Sequence, residues 1–309
     1  MKAVAGFAGG LALAVVAAPS ASAQAWASPA GQGWVTVAFQ GIDNTGHVLQ
    51  DGSTAPFGKS RNASIYVEAA YALNDRLSLS AGVPFVFAKY VGPRFDPEPP
   101  TVQPVDACYC WQDGLQDFGF TARVNLLNGS TALTPSVSVG APSHGYEHVG
   151  EAVVGRGLSE LRLAVDVGQR LDFLSPRLAV AGRYTYAFVE RVLDVSTNRS
   201  NASVELAFQA LDRLAVRAVV SRQVTHGGLQ AGLGPPPQPD GYPWGEITTA
   251  ELFREHDRLM RDDSWHVGAA LSYAFARADL FASYVEFVSG RNTHAGRAFT
   301  VGVSVPFGR

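Results

Sequence analysis

Cysteine is almost missing from this chain: Cys108 and Cys110, separated only by Tyr109, are all it has. Two cysteines cannot staple a scaffold of this size. The pair reads as loop-tip thiols or as one small disulfide in an awkwardly tight loop, and a zinc site would need ligands from elsewhere. Lysine is nearly as scarce, confined to Lys2, Lys59 and Lys89, and the net charge is −3. A nucleic-acid partner recognised through a basic surface is thereby excluded. Long apolar runs are missing too: after Ala23 no uninterrupted stretch reaches the ~18 residues a spanning helix requires.

What is present is apolar and glycine-rich, with 47% hydrophobic residues, 32 Gly, 17 Phe and 10 Tyr. Lys2, the apolar run from Ala3 to Ala18 and the small residues Ala21 and Ala23 form a secretory signal peptide over residues 1–23, cleaved after Ala23 or, alternatively, after Ala25. A retained anchor is disfavoured because the run is too short to span. An exported chain this apolar, without a spanning helix, is either a large sandwich or a membrane β-barrel occupying residues 24–309.

Alternation of apolar and polar residues decides between these. Phe299, Val301, Val303, Val305 and Phe307 point one way, and Thr300, Gly302, Ser304 and Pro306 the other. The same dyad runs through Ile65 to Tyr71, Leu77 to Val83 and Leu161 to Val167. Counting such segments predicts strands over 33–42, 61–73, 76–90, 115–127, 131–141, 154–170, 174–190, 200–211, 213–226, 263–276, 278–289 and 296–307. Short connections (Asn74-Asp75, 128–130, 171–173, Asp212, Arg277) alternate with longer ones (43–60, 91–114, 142–153, 190–199, 227–262, 290–295). Strict short-long alternation, an even strand number, strands long enough to cross a bilayer at a tilt, and aromatics near strand ends predict an all-β, transmembrane, antiparallel up-and-down barrel of about twelve strands with both termini periplasmic. A soluble sandwich would mix loop lengths without regard to side and carry more Lys and Glu on its polar faces.

If the apolar faces meet lipid, the lumen is lined by Glu68, Arg123, Glu160, Arg162, Asp166, Arg183, Glu205, Arg217, His266 and Glu286. Their charges nearly balance. They form either a structural network of paired arginines and carboxylates or a charged constriction that selects solutes. In the longest loop, a proline-rich stretch from Leu233 to Tyr242 precedes a capping box from Thr248 to Glu251. Leu252, Phe253, His256, Leu259 and Met260 then fall on one side of a short helix, which either lids the mouth or packs on the rim.

Two enzyme-like strings carry little. His144-Gly145-Tyr146-Glu147-His148 has zinc-motif spacing, but Pro142, Gly145 and Gly150 argue against the helix that would bring both histidines to one face. Ser264 and His266 stand two apart on a strand, both toward the lumen, where a lipid-cleaving pair would not be expected. Neither a catalytic residue, a metal nor a cofactor is implied.

Several strings resemble a known family. Arg76 to Val86, with its Gly82-Val83-Pro84-Phe85 step, resembles the outer-membrane proteins grouped with the phenol-degradation meta-pathway transporters. Leu115-Gln116-Asp117-Phe118-Gly119 is similar to that family's Gly-Leu-Gly-Asp-Leu strand opening, Gly140-Ala141-Pro142 to its strand-ending proline, and Gly155 to Leu161 to its Gly-x-Gly segment. The chain departs from the pattern in lacking the first of those glycines and in extending to Gly308-Arg309 beyond Phe307. The resemblance implies a transporter of small hydrophobic or aromatic solutes. Its partners would be outer-membrane lipid and lipopolysaccharide around the wall, the barrel-assembly machinery during insertion, and the solute itself. The alternatives are a closed barrel acting as a structural element or adhesin through loops 91–114 and 227–262, and a lipid-modifying enzyme.

Overall fold

A computed structural model describes residues 25–55, 58–92, 110–148, 152–230 and 255–308. Fifteen strand segments join a single antiparallel sheet. Thr54–Ala55, Gln112–Leu115 and Leu127–Asn128 are short flanking pieces. The other twelve close a ring: β1 (Gln32–Val48), β2 (Lys59–Ala72), β3 (Leu77–Val91), β4 (Asp117–Val124), β5 (Thr131–Pro142), β6 (Glu160–Arg170), β7 (Leu178–Val189), β8 (Asn198–Leu211), β9 (Leu214–His226), β10 (Asp263–Ala274), β11 (Asp279–Arg291) and β12 (Thr293–Gly308). Each strand pairs with its sequence neighbours, and β1 closes on β12 from Gln32 opposite Gly308 to Val48 opposite Thr293. Closure leaves no edge, so the backbone groups of every strand find partners within the sheet, as a span through hydrocarbon demands. The first and last strands begin and end at the same mouth.

The dyads explain why these segments are strands and why the ring is inverted relative to a water-soluble protein. Val35, Val37 and Phe39 are exposed on the outside, while Thr36, Ala38 and Gln40, alternating with them, are buried. The same holds around the ring, with Phe120, Val139, Leu163, Val204, Val220 and Leu271 outward. In water, such a continuous apolar belt would be a severe liability. In lipid it costs nothing and fixes the protein's place. Among the described residues no helix is long and apolar enough to cross a membrane, so crossing falls to the strands.

On the terminus side the connections are short: 73–76, 125–130, 171–177, 212–213 and 275–278. The Asn74 carboxamide holds the first of them by accepting from the backbone N–H groups of Arg76 and Leu77 at 2.9 and 2.8 Å. The other mouth carries 49–58, 92–116, 143–159, 190–197 and 227–262, of which 93–109 and 231–254 lie outside the described residues. The alternation breaks at the last connection. Where the sequence suggested a loop over 290–295, β11 passes to β12 through Asn292 alone, in the left-handed region at φ 49°. Asparagine tolerates that conformation, so a one-residue turn needs no glycine signal. β1 likewise continues to Val48, past an irregularity between Asn44 and Gly46, and shortens the expected first loop.

Candidate functional site

The site is the inside of the barrel, because strand phase sends polar side chains there. On one half of the ring the interior is charged. Glu160, opening β6, receives Arg162 of its own strand at 2.8 Å, Arg156 of the preceding loop at 3.3 Å, and Arg199 of β8. Four positions before the end of the same strand, Asp166 receives Arg183 of β7 at 3.2 Å and Arg123 of β4 at 3.4 Å. Arg217 of β9 stands 3.9 Å from Glu205 of β8. Among the described residues Glu68 of β2 has no cationic contact this close, and it accepts from the Tyr66 hydroxyl at 2.8 Å. A carboxylate shared by three guanidinium groups is satisfied with positive charge to spare. The Arg162 side chain is 46% exposed even though its strand phase turns it inward, so this stretch of the lumen is accessible to water.

The other half, from β10 to β1, is neutral. Thr36 and Ser304 share a hydroxyl hydrogen bond at 2.6 Å, the Gln40 amide donates to Thr300 at 3.2 Å, and the Asn44 amide donates to Ser60 at 2.9 Å. His266 is buried on this side, with its ring edge-on to Phe287, next to the equally buried Ser264. Thus Glu160 gathers Arg162, Asp166 gathers Arg123 and Arg183, and Glu205 gathers Arg217, whereas Glu68 and His266 stand apart.

Glu286 does not line the lumen. It shares the outer face of β11 with Leu280, Ala282 and Tyr284, and the Tyr284 hydroxyl donates to it at 3.3 Å. The cause is that β11 is apolar on both faces: Phe281 and Val285 are buried inside while Leu280 and Tyr284 are exposed outside. With large apolar side chains on either face, alternation alone cannot set the phase.

Both mouths are narrowed. At the terminus side, residues 25–31 leave β1 and cross the opening. The Ala25 carbonyl accepts from Thr134 at 2.6 Å and from Asn125 at 3.2 Å, both buried on the inner wall, and the Trp26 indole donates to Gly129 at 2.9 Å. Trp26 lies on Gly168, where a Cβ would stand 2.5 Å from the ring, and Arg170 stacks over it at 5.9 Å. At the opposite mouth, α1 (His256–Leu259) turns inward and Leu259 is wholly buried. It packs with Ala187 and Val189 of β7 and with Leu158, Val192, Val195 and Leu229 from the loops. Arg258 ties this lid to His148 at 3.0 Å and to Glu255 at 2.9 Å. The signal peptide, the proline-rich stretch and the capping box from Thr248 lie outside the described residues.

His144 bonds to Ser143 while His148 bonds to Arg258, so the two turn to different partners, and the segment carrying them is not helical. Tyr146 between them donates to Asp117; burial first, then that carboxylate, push its phenol pKa upward. Cys110 is disulfide-bonded, whereas Cys108 lies outside the described residues. Sequence reasoning missed Arg156, Arg199 and Trp26. Arg199 precedes the segment expected as a strand, Arg156 was absorbed into a glycine-rich string, and Trp26 follows the cleavage region without any periodic pattern.

No family model matches the chain, and no curated protein does. Solved structures do. The COG4313 outer-membrane channel from Pseudomonas putida F1 is similar over 92% of this chain and 98% of its own, at 14% identity and a TM-score of 0.66. The translocator domain of the autotransporter NalP from Neisseria meningitidis (12% identity, 91% of this chain, 90% of its own, TM-score 0.47) and the KdgM porin (9%, 88%, 99%, 0.47) are looser matches. At such identities the first likeness shows the fold alone: a twelve-stranded barrel of the outer-membrane kind.

Proposed function

We propose that the protein is an outer-membrane channel passing small solutes by passive diffusion, with the arginine-rich half of its lumen selecting among them. The observation that carries this reading is the convergence of Arg156, Arg162 and Arg199 on the single carboxylate of Glu160, above a second cluster at Asp166. Around these two carboxylates cation exceeds anion, five arginines to two acids, along a wall that water reaches. Fixed cationic side chains at a constriction attract anions and repel cations. The facing wall offers hydroxyls, amides and the ring of Phe287. This combination suits a small acid carrying an aromatic or other apolar body; the family resemblance implies the apolar or aromatic body, and the arginines add the preference for an acid.

Conductance in planar bilayers tests the proposal. The purified protein is expected to pass a small, anion-selective current, and Arg162→Glu to move the reversal potential toward cations, whereas Leu163→Ala on the lipid face leaves it unchanged. Absence of any current, including after removal of the lid residues 255–260, would favour a closed structural barrel or adhesin. Equal effects of the two substitutions would remove the lumen wall from the mechanism.

A further inference from the structure

The outer wall carries a charged row that the channel reading leaves unexplained. Strand register places Lys89 opposite Arg61, Arg61 opposite Asp43, Asp43 opposite Arg297 and Arg297 opposite Glu286, in one unbroken line across β3, β2, β1, β12 and β11. All five share the lipid-facing phase. The Arg61 and Arg297 side chains are 66% and 58% exposed. Lys59, two residues beyond Arg61 toward the long-loop mouth, is exposed on the same face. Lysine thus occurs after residue 2 only at this place, twice. Four cations face two anions here, in a chain whose overall charge is −3.

The level of the row identifies what it meets. Two residues nearer the termini, the same five strands present Phe87, Ala63, Gly41, Phe299 and Tyr284, with the Phe299 ring lying over Gly41. Next come Phe85, Ile65, Phe39 and Val301. Aromatic side chains mark the boundary of the hydrocarbon, so the charges stand immediately above it, at headgroup level. Asp43 accepts from Arg61 Nε at 3.2 Å and from an Arg297 terminal nitrogen at 3.4 Å. That engages one edge of each guanidinium group and holds the two side by side. Each keeps further N–H donors, directed away from the lumen and reachable only from the membrane side.

We propose that this row is a binding site for the phosphate groups of lipopolysaccharide in the outer leaflet, with its acyl chains against the Phe39, Phe87 and Phe299 belt. Guanidinium forks match phosphate in geometry and charge, and clustered cations beside a bilayer recognise anionic headgroups. Asp43 is a positioning residue that keeps Arg61 and Arg297 adjacent. The inference rests on the membrane reading but not on transport, since the lumen does not open onto these side chains.

Native mass spectrometry of the refolded full-length protein in mild detergent, titrated separately with lipopolysaccharide and with phosphatidylglycerol, provides the test. Wild type is expected to retain lipopolysaccharide preferentially, and the double variant Arg61→Glu/Arg297→Glu to retain it roughly tenfold less. Arg61→Gln/Arg297→Gln is expected to show an intermediate loss and decides the matter if the charge reversal fails to fold, as judged by heat-modifiable gel migration. Arg222→Gln, on the outer face of β9 where Arg222 stacks over Trp265 at 5.0 Å, should leave retention intact. Unchanged retention in the Gln pair, an equal loss in Arg222→Gln, or phosphatidylglycerol held as tightly as lipopolysaccharide would each overturn the site. Conductance in lipopolysaccharide-free bilayers reports independently on the channel.

Discussion

Asp262 joins the lid to β10, and its carboxyl is buried, with Oδ2 accepting from Gln223 at 2.9 Å and the Thr293 hydroxyl beside it. Burial, the largest influence, raises its pKa from 3.8 to about 6. The folded state therefore holds a proton that the unfolded chain would release, and the stability this residue supports falls as pH rises from about 4 through 6. Thermal unfolding followed from pH 4 to 8 should show wild type losing stability across that interval and Asp262→Asn showing a smaller dependence; parallel curves would rule the residue out. At the same scale, the sequence could assign Arg162 and Leu163 to opposite faces because the apolar residues Leu161, Leu163 and Val167 all fall on one side of β6. It could not do so for Glu286, because the strand around that residue is apolar on both sides.

Among the elements, the strands and the narrowed mouths were unequally legible. Every expected strand is present because period-two patterning and turn residues such as Asn74 act within a few positions of each other, but β1 runs six residues past its expected end and β6 starts six residues late, where the pattern extends into loop-like sequence. The segment over residues 25–31 left no such trace. Its place is set by contacts with Thr134, Asn125, Gly129 and Gly168, roughly a hundred residues or more away in sequence. If it obstructs the terminus-side mouth, Trp26→Ala should raise single-channel conductance. Gly168→Val, which drives a side chain into the Trp26 ring, should raise it as well, with little change in ion selectivity. Conductance identical to wild type in both would place the segment outside the conducting path. At the other mouth, the amphipathic pattern through Leu259 and Met260 foretold a helix near His256–Leu259. Only the folded barrel decides that its apolar side turns inward against Ala187 and Val189 rather than onto the rim.

For the whole molecule, the governing fact is reversed polarity: buried threonines, amides and ion pairs within, exposed valines and phenylalanines without. Val37, midway along β1 and outward between Val67 and Val303, tests this directly. Val37→Arg should destabilise the barrel in lipid by about 2–4 kcal/mol, measured by denaturant unfolding in vesicles, whereas Thr36→Ser beside it should cost far less; the reverse order would mean that the two faces are exchanged. The amino-acid sequence alone determined the strands, their number and, wherever one side of a strand is polar, their faces, because alternation and turn chemistry are local and a bilayer selects the apolar side. Tertiary structure alone decided which arginines share Glu160, that residues 25–31 and the lid narrow the two mouths, and that Lys89, Arg61, Asp43, Arg297 and Glu286 form one row. Those outcomes depend on cross-strand register and ring closure, which bring together residues that no local pattern connects.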